Sequence, residues 1–427
     1  MEMERGKTIR LLLAMALLVL SSRVIKAEAE TSHSEIDRKL KQLNKPAVKT
    51  IKSEDGDTID CVDIYKQPAF DHPALKNHTI QMRPSFEIAS NSSNAKNESV
   101  SHSILPQTWQ RSGSCPEGTI PIRRILRKDL LRATSLENFG RKPPAQPSYA
   151  GNITGSPNLH SKSINNTEIN FGPQVNRSTA ILLTEAYSYV GATGDINIWN
   201  PNVESQDEYT TAQIWLKAGP GDNFESVEAG WMVNPRLYGD KRTRLFALWT
   251  RDSYKSTGCF DLTCTGFVQT STAVALGAPI EPLSSEGGQQ FQLSFGIFLD
   301  PNSGNWWLKI SKTVPIGYWP PNLFSLLTHS AKLVEWGGEV YSSKIKKAPH
   351  TTTAMGSGEF ARNLYGNACY IQNVRIMDYS LMLKYPEWVQ TYASEEYCYS
   401  AYNYIKGYGT EPVFYFGGPG RKPPYCP

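Results

Sequence analysis

Histidine is scarce in this chain. Of its 427 residues seven are histidine, and only His329 and His350 lie beyond residue 176. No His-Glu-x-x-His motif occurs, so a histidine-based metal site is poorly supplied and neither metal nor cofactor is expected. No glycine-rich phosphate loop leads into a helix. The nucleophile elbow Gly-x-Ser-x-Gly is missing, and Gly356-Ser357-Gly358 matches it only superficially. A Ser357 nucleophile would have to take His329 or His350 as its base, and a Cys369 nucleophile would depend on the same two. A dense Lys/Arg patch interleaved with aromatics is also lacking. With a net charge of +4, nucleic acid is not an expected partner. One apolar run exists, Leu11 to Leu20, and it is too short for a comfortable membrane span.

That run does have the length of a signal-peptide core. Arg5, Lys7 and Arg10 precede it, and small residues at Ala27 and Ala29 suit a cleavage site. The expected mature protein is secreted, extracellular or apoplastic, with a vacuolar destination also open. It has no membrane attachment once the signal is removed. Six Asn-x-Ser/Thr sequons, at Asn77, Asn91, Asn97, Asn152, Asn165 and Asn176, agree with a secretory route and all fall in the first half. Seven cysteines suit an oxidising compartment. Cys259 and Cys264 are close enough to bridge a tight loop, Cys398 and Cys426 to tie down the C-terminal tail, and Cys61 and Cys115 are the pair in the first half. Cys369 is left over and reads as a buried free thiol.

The length implies two folded units plus linkers. Residues 1–27 are read as the signal, 28–140 as a small mixed α/β unit, 141–175 as a linker rich in Pro, Ser, Asn and Gly, and 176–427 as the main domain. Apolar residues at 36, 40 and 43 predict a short amphipathic helix, and residues 84–104 read as an exposed loop. Beyond the linker, Ala212–Leu216, Arg244–Trp249, Phe291–Leu299, Trp306–Ile310 and Tyr370–Met377 read as strands punctuated by Gly, Pro, Asn and Asp. One helix is predicted at Pro321–Lys332, opened by Pro320-Pro321. The many evenly spaced strands, ten Trp and 21 Tyr argue for an all-β, antiparallel sandwich or barrel.

Two stretches set glutamates inside apolar strands: Val227-Glu228-Ala229-Gly230-Trp231 and Val334-Glu335-Trp336-Gly337-Gly338-Glu339-Val340. Side chains alternate along a strand. Glu228 therefore shares a face with Gly230 and Met232, and Glu335 shares one with Gly337 and Glu339. Glycines in strands often mark close approach of a ligand or of another backbone. A carboxylate here must be paired, hydrogen-bonded or protonated, which is the raw material of acid/base catalysis. The plain alternative is the solvent face of a half-buried strand.

These residues, taken in order with Tyr238-Gly239-Asp240, Gly258-Cys259, Gly266-Phe267-Val268-Gln269-Thr270, Gly304-Asn305-Trp306-Trp307, Gly317-Tyr318-Trp319-Pro320, Met355-Gly356-Ser357-Gly358 and the closing Gly417–Arg421 and Cys426-Pro427, resemble the plant neprosin family. The resemblance runs over roughly residues 175–427. Upstream, Ser112-Gly113-Ser114-Cys115-Pro116-Glu117-Gly118 resembles that family's activation peptide.

The resemblance implies a β-sandwich glutamic endopeptidase, made as a zymogen, that cuts proline-containing peptides or proteins after proline in acid. The chain's own pro-segment would be its inhibitor. It implies two catalytic glutamates, of which Glu228 is one. Glu339, which ends the Trp-Gly-Gly-Glu element, is preferred to Glu335 as the other. Cys259–Cys264 and Cys398–Cys426 match the family's disulfide pattern, and Cys369 has no place in it. Two other readings stay open: a catalytically silent secreted protein that binds wall glycan or peptide, and a two-carboxylate glycoside hydrolase on the same sandwich.

Overall fold

Alternation of apolar and polar residues sets where this chain extends, and the long alternating runs become the strands of two stacked antiparallel sheets. The computed structural model describes residues 34–86, 107–144 and 175–427. The expected signal, the sequons other than Asn77 and Asn176, and most of the predicted linker and of the exposed loop lie outside the described residues.

The first part of the chain contains helix α1 (34–43), strands β1 (Ala47–Lys52), β2 (Thr58–Asp63) and β3 (Thr119–Arg123), and helix α2 (Arg127–Arg132). The three strands form one antiparallel sheet in that order, and the Cys61–Cys115 disulfide ties it to the segment leading into β3. This is the mixed α/β unit expected.

The main body begins with β4 (Arg177–Tyr189), β5 (Gly191–Asn197), β6 (Tyr209–Ala218), β7 (Glu225–Val233), the short helix α3 (Pro235–Tyr238), β8 (Arg244–Thr250) and β9 (Val268–Gln269). It continues through β10 (Gln292–Leu299), β11 (Trp306–Ile310), β12 (Val314–Trp319), β13 (Ala331–Tyr341), β14 (Cys369–Met377), β15 (Leu383–Lys384), β16 (Gln390–Ala393), β17 (Ser400–Tyr404) and β18 (Val413–Gly417). One sheet has six strands, in the order β16-β4-β13-β6-β7-β8. The other has nine, in the order β17-β18-β14-β5-β10-β11-β12-β9 with β15 beside β14.

The core lies between these sheets. Val227, Ala229 and Trp231 of β7, with Val334, Trp336 and Val340 of β13, join one cluster with Ile196, Phe295, Ile297, Leu308 and Ile371 of the facing sheet. Two tryptophans cross the gap: Trp231 Nε1 donates to Asn197 O at 2.9 Å and Trp336 Nε1 to Thr193 O at 3.0 Å. Each buries a large ring and still satisfies its N–H, which makes Trp usable in a core. Gly194 makes room for this, since a Cβ there would meet Trp336 Cδ1 at 3.2 Å and Ile371 Cγ2 at 2.7 Å. With the apolar residues turned inward, the opposite face of the six-stranded sheet carries the glutamates.

The helix predicted at Pro321–Lys332 does not form beyond a 3-10 turn at Pro321–Leu323. The carboxylate of Glu225 accepts the backbone N–H groups of Ser325, Leu326 and Leu327 at 2.8–3.0 Å, holding the chain in a tight loop. A distant side chain thus takes the amides that a helix would have used.

The N-terminal unit docks on the main body by side chains that imitate a strand. Gln67 accepts from Gln269 N at 2.8 Å and donates to Gln269 O at 3.1 Å, and Gln107 exchanges two 2.8 Å bonds with Ala275 in the same way. This caps backbone that would otherwise be an open edge.

The docking is expected to weaken in acid. Burial opposes charge on Asp300, but the hydroxyl and amide of Ser85 and the Gln81 side chain outweigh it and hold this carboxyl below its usual range. A depressed carboxyl stabilises docking above the undocked pKa and ceases to do so as pH falls through the docked value. His78 adds the same sign, because burial against Tyr318, whose hydroxyl lies 2.7 Å from Nε2, disfavours its protonation. Asp300→Asn should weaken docking by about 2 kcal/mol, since charge-assisted hydrogen bonds contribute roughly 1.5–3 kcal/mol. Hydrogen exchange at the amides of residues 81–85 near neutral pH would read this. Unchanged protection would show that Asp300 plays no part in docking.

Candidate active site

Three neighbouring strands build the site. In the order β13-β6-β7, Gln213 of β6 lies between Gly337 and Gly230. The two glycines are required by backbone proximity, not only by space for a ligand. A Cβ on Gly337, whose φ is +147°, would stand 2.2 Å from Ala180 O, and one on Gly230 would stand 2.0 Å from Ala212 O. Glu228 pairs in register with Trp215 of β6, and Glu339 with Thr211 of β6, so β6 separates the two carboxylate strands.

Both side chains are buried, Glu228 at 0% and Glu339 at 3% exposure. Neither is left unsatisfied. Glu228 Oε1 accepts from Ser226 Oγ at 2.7 Å and from the Tyr254 hydroxyl. Its Oε2 accepts from Gln213 Nε2 at 2.8 Å. Glu339 Oε1 accepts from the Tyr209 hydroxyl at 2.8 Å and lies 3.7 Å from Arg177 Nε. The guanidinium of Arg177 sits over the rings of Tyr254 and Tyr341, at 5.2 and 5.9 Å. Burial first, and then the charge on the neighbouring glutamate, push both Tyr209 and Tyr254 well above the ordinary phenol range. Both phenols are therefore hydrogen-bond donors here.

One ammonium joins the two glutamates. Lys142, 2% exposed, places Nζ 3.1 Å from Glu228 Oε2 and 3.2 Å from Glu339 Oε1. Burial would raise the Glu339 pKa, but Lys142 and then Arg177 outweigh it and hold this carboxyl below its usual range. The lysine comes from the segment after the N-terminal unit. Lys142 N donates to Gly258 O and Gly140 O accepts from Phe260 N, both at 2.8 Å, with Arg141 bridging antiparallel to Cys259. The Cys259–Cys264 disulfide closes this loop, and Arg177 Nη2 donates to Pro143 O.

Glu335 points to a different partner. It pairs with Lys217 of its own sheet, beside Trp215, and takes no share of Lys142. Ser357 has the amide of Glu359 as its hydrogen-bond partner, and His350 has Thr351 O and Glu395. Among the described residues no hydrogen bond links Ser357 to either histidine. Cys369 is a free, fully buried thiol, 3.5 Å from Asn197 O, and burial pushes its pKa well up, so it is not a ready thiolate. His350, Cys398 and Cys426 come together, but both sulfurs are spent in the third disulfide.

The sequence reading missed Lys142, Arg177, Tyr209, Gln213, Ser226 and Tyr254. Two had a local signal. Ser226 is two residues before Glu228 on the same strand face, and Gln213 interrupts the apolar strand Ala212–Leu216. The others reach the site only through the fold.

A family model described as Neprosin matches residues 206–419, and one described as Neprosin activation peptide matches residues 50–170. Solved structures align more loosely. One is a crystal structure of Scytalido-glutamic peptidase with a peptide-based transition state analog, at 8% identity and a TM-score of 0.29, with 57% of this chain and 98% of that chain covered. Another is SCP-B, a member of the Eqolisin family of peptidases, in complex with a tripeptide, at 7% identity and 0.28, with 57% and 98% covered. A third is CG-16, a homodimeric agglutinin from chicken liver, at 8% identity and 0.20, with 38% and 96% covered.

Proposed function

This chain belongs to the Neprosin family and carries that family's activation peptide ahead of its catalytic part, and from this premise we propose that it is the zymogen of a secreted acid glutamic endopeptidase that cuts after proline. The proposal divides it into a signal (1–27), a pro-domain (28–140), a linker (141–175) and a catalytic domain (176–427), with Glu228 and Glu339 as the catalytic pair. One observation carries the reading: two buried carboxylates meet at a single ammonium, 3.1 and 3.2 Å away. An ammonium and a water molecule are nearly the same size. The place held by Lys142 Nζ is one where a water could touch both carboxylates.

The chemistry follows from charge. In the zymogen, Lys142 and Arg177 balance Glu228 and Glu339. Once Lys142 leaves, two carboxylates face one fixed cation and share a proton. Arg177 lies beside Glu339 and keeps it charged, so Glu339 is the base. Glu228 takes the proton, with the Ser226 hydroxyl and the Gln213 amide able to turn and accept from it. Glu339 then removes a proton from the bound water as its oxygen bonds to the peptide carbonyl carbon. Protonated Glu228 hydrogen-bonds the carbonyl oxygen as charge develops there. The intermediate collapses with cleavage of the C–N bond, and the departing nitrogen takes up the proton from the pair. A free glutamate titrates near about 4.3, so a one-proton pair works in acid.

The test is direct. Zymogen preincubated in acid is given a proline-containing peptide across pH 2–7, and products are identified by mass spectrometry. Cuts after proline that peak in acid are expected. No cleavage after loss of the N-terminal unit would favour the silent binding protein.

A further inference from the structure

The linker segment sits in the site as an extended peptide. Lys142 N donates to Gly258 O, Gly140 O accepts from Phe260 N, and the carbonyl of Pro143 accepts from Arg177 Nη2. Residues 258–260 are in turn part of the sheet, because Phe260 bridges antiparallel to Leu248 of β8 and Asp261 N donates to Ala247 O at 2.8 Å. The linker thus pairs with this edge through single antiparallel bridges, as a short added strand would. Backbone pairing of this kind takes any sequence, so the contacts are not special to the linker. The contact nearest the carboxylates is the Pro143 carbonyl on a buried guanidinium 3.7 Å from Glu339.

We infer that the mature enzyme binds the residues ahead of the cut as an antiparallel strand on Gly258–Phe260, with the carbonyl of the proline held by Arg177. This rests on the peptidase reading and deepens it by assigning the substrate's main-chain contacts. The bond to be cut is the C–N bond that follows this carbonyl. Arg177, already fixed over Tyr254 and Tyr341, donates to its oxygen together with Glu228 as negative charge develops. The residue before the proline gives its N–H to Gly258 O, as Lys142 does. Alternation along the strand turns the next N–H away from this edge. In the linker that group, Arg141 N, donates to Asn138 O at 3.1 Å instead. The match stops at Gly140, whose φ is +76° and where a Cβ would stand 2.2 Å from Thr263 Oγ1, so no side chain fits.

A corollary concerns the residue before the proline. Its side chain points where that of Lys142 points, between the two glutamates. Lysine there takes the place of the water, so peptides with Lys-Pro bind but are cut slowly, whereas Ala-Pro peptides, whose side chain ends at Cβ and leaves the water its place, are cut normally.

An N-methyl scan of one proline peptide tests the pairing on the acid-activated enzyme. Methylation of the amide of the residue before the proline removes the donor to Gly258 O. It should lower kcat/KM about five- to tenfold, as loss of one ordinary hydrogen bond does. Methylation one residue earlier should change it by less than about twofold. Equal losses at the two positions, or none at the first, would overturn the strand while leaving the peptidase reading intact. A parent peptide that is not cut at all would overturn both. For Arg177, the Arg177→Ala enzyme should lose about 10²-fold or more in kcat and regain part of it with added guanidinium, an effect expected of a lost donor. A folded Arg177→Ala enzyme, checked by circular dichroism, that keeps its kcat would overturn the carbonyl contact.

Discussion

A zymogen carrying Lys142→Met should lose its latency and process itself at a distinctly higher pH than the parent protein. Among the described residues Lys142 is the one cation shared by Glu228 and Glu339, at 3.1 and 3.2 Å, and all three side chains are buried. Breaking a buried ion pair on one side leaves uncompensated charge and costs about 3–5 kcal/mol. The linker segment would be held more weakly by that amount, which makes its open form at least about a hundredfold more populated.

The sign of the pH effect follows from Glu339, whose carboxyl Lys142 and Arg177 hold below its usual range against the effect of burial. A carboxyl depressed in the closed state stabilises that state above its ordinary pKa, near 4.3, and stops doing so as pH falls through the closed-state value. Acid should therefore open the parent zymogen by protonating Glu339 and freeing the lysine. The methionine variant lacks this term and opens without acid. Appearance of the processed domain on gels across pH 3–7 is the measurement. A Lys142→Met protein that stays intact at the parental pH would show that Lys142 does not hold the zymogen closed.

The second large effect is expected from the carboxylates themselves. Glu339→Gln should lower kcat/KM toward the upper end of the about 10²–10⁴-fold range of a general base, since an amide cannot take the water's proton. Glu228→Gln should be milder, because its amide can still donate to the carbonyl oxygen as protonated Glu228 does, though it cannot pass on a proton. Together the two should cost far less than the product of the single losses, as in any pair that works as a unit. Glu335→Gln should stay within a few fold, because its partner is Lys217 and not the shared lysine. These are kinetic measurements on acid-activated protein, with processing supplied by added wild-type enzyme where a variant cannot process itself. Loss of activity with Glu335→Gln alone would move the second catalytic role from Glu339 to Glu335.

Much of the site's framework was legible in the chain. The face carried by Glu228, Gly230 and Met232, opposite Val227, Ala229 and Trp231, is read from a period of two, and the core residues obey it. The preference for Glu339 over Glu335 came from resemblance alone, because both lie on one face of β13 and no local rule separates them. In the structure they differ by which cation reaches them. The helix expected at Pro321–Lys332 went wrong for a related reason, since Glu225, about a hundred residues earlier, captures the amides of Ser325, Leu326 and Leu327.

Strand positions, their buried faces, the small α/β unit ahead of them and the two glutamate-bearing strands are local properties. They depend on neighbours two residues away and can be read along the chain. The meeting of Glu228 with Glu339 across β6, the cations at Lys142 and Arg177, and the phenols of Tyr209 and Tyr254 are not local. Each joins residues far apart in sequence, and what brings them together is the register of antiparallel strands and the burial of one sheet against another. Charge inside a protein is tolerated only where donors converge on it. That convergence exists only in the folded chain.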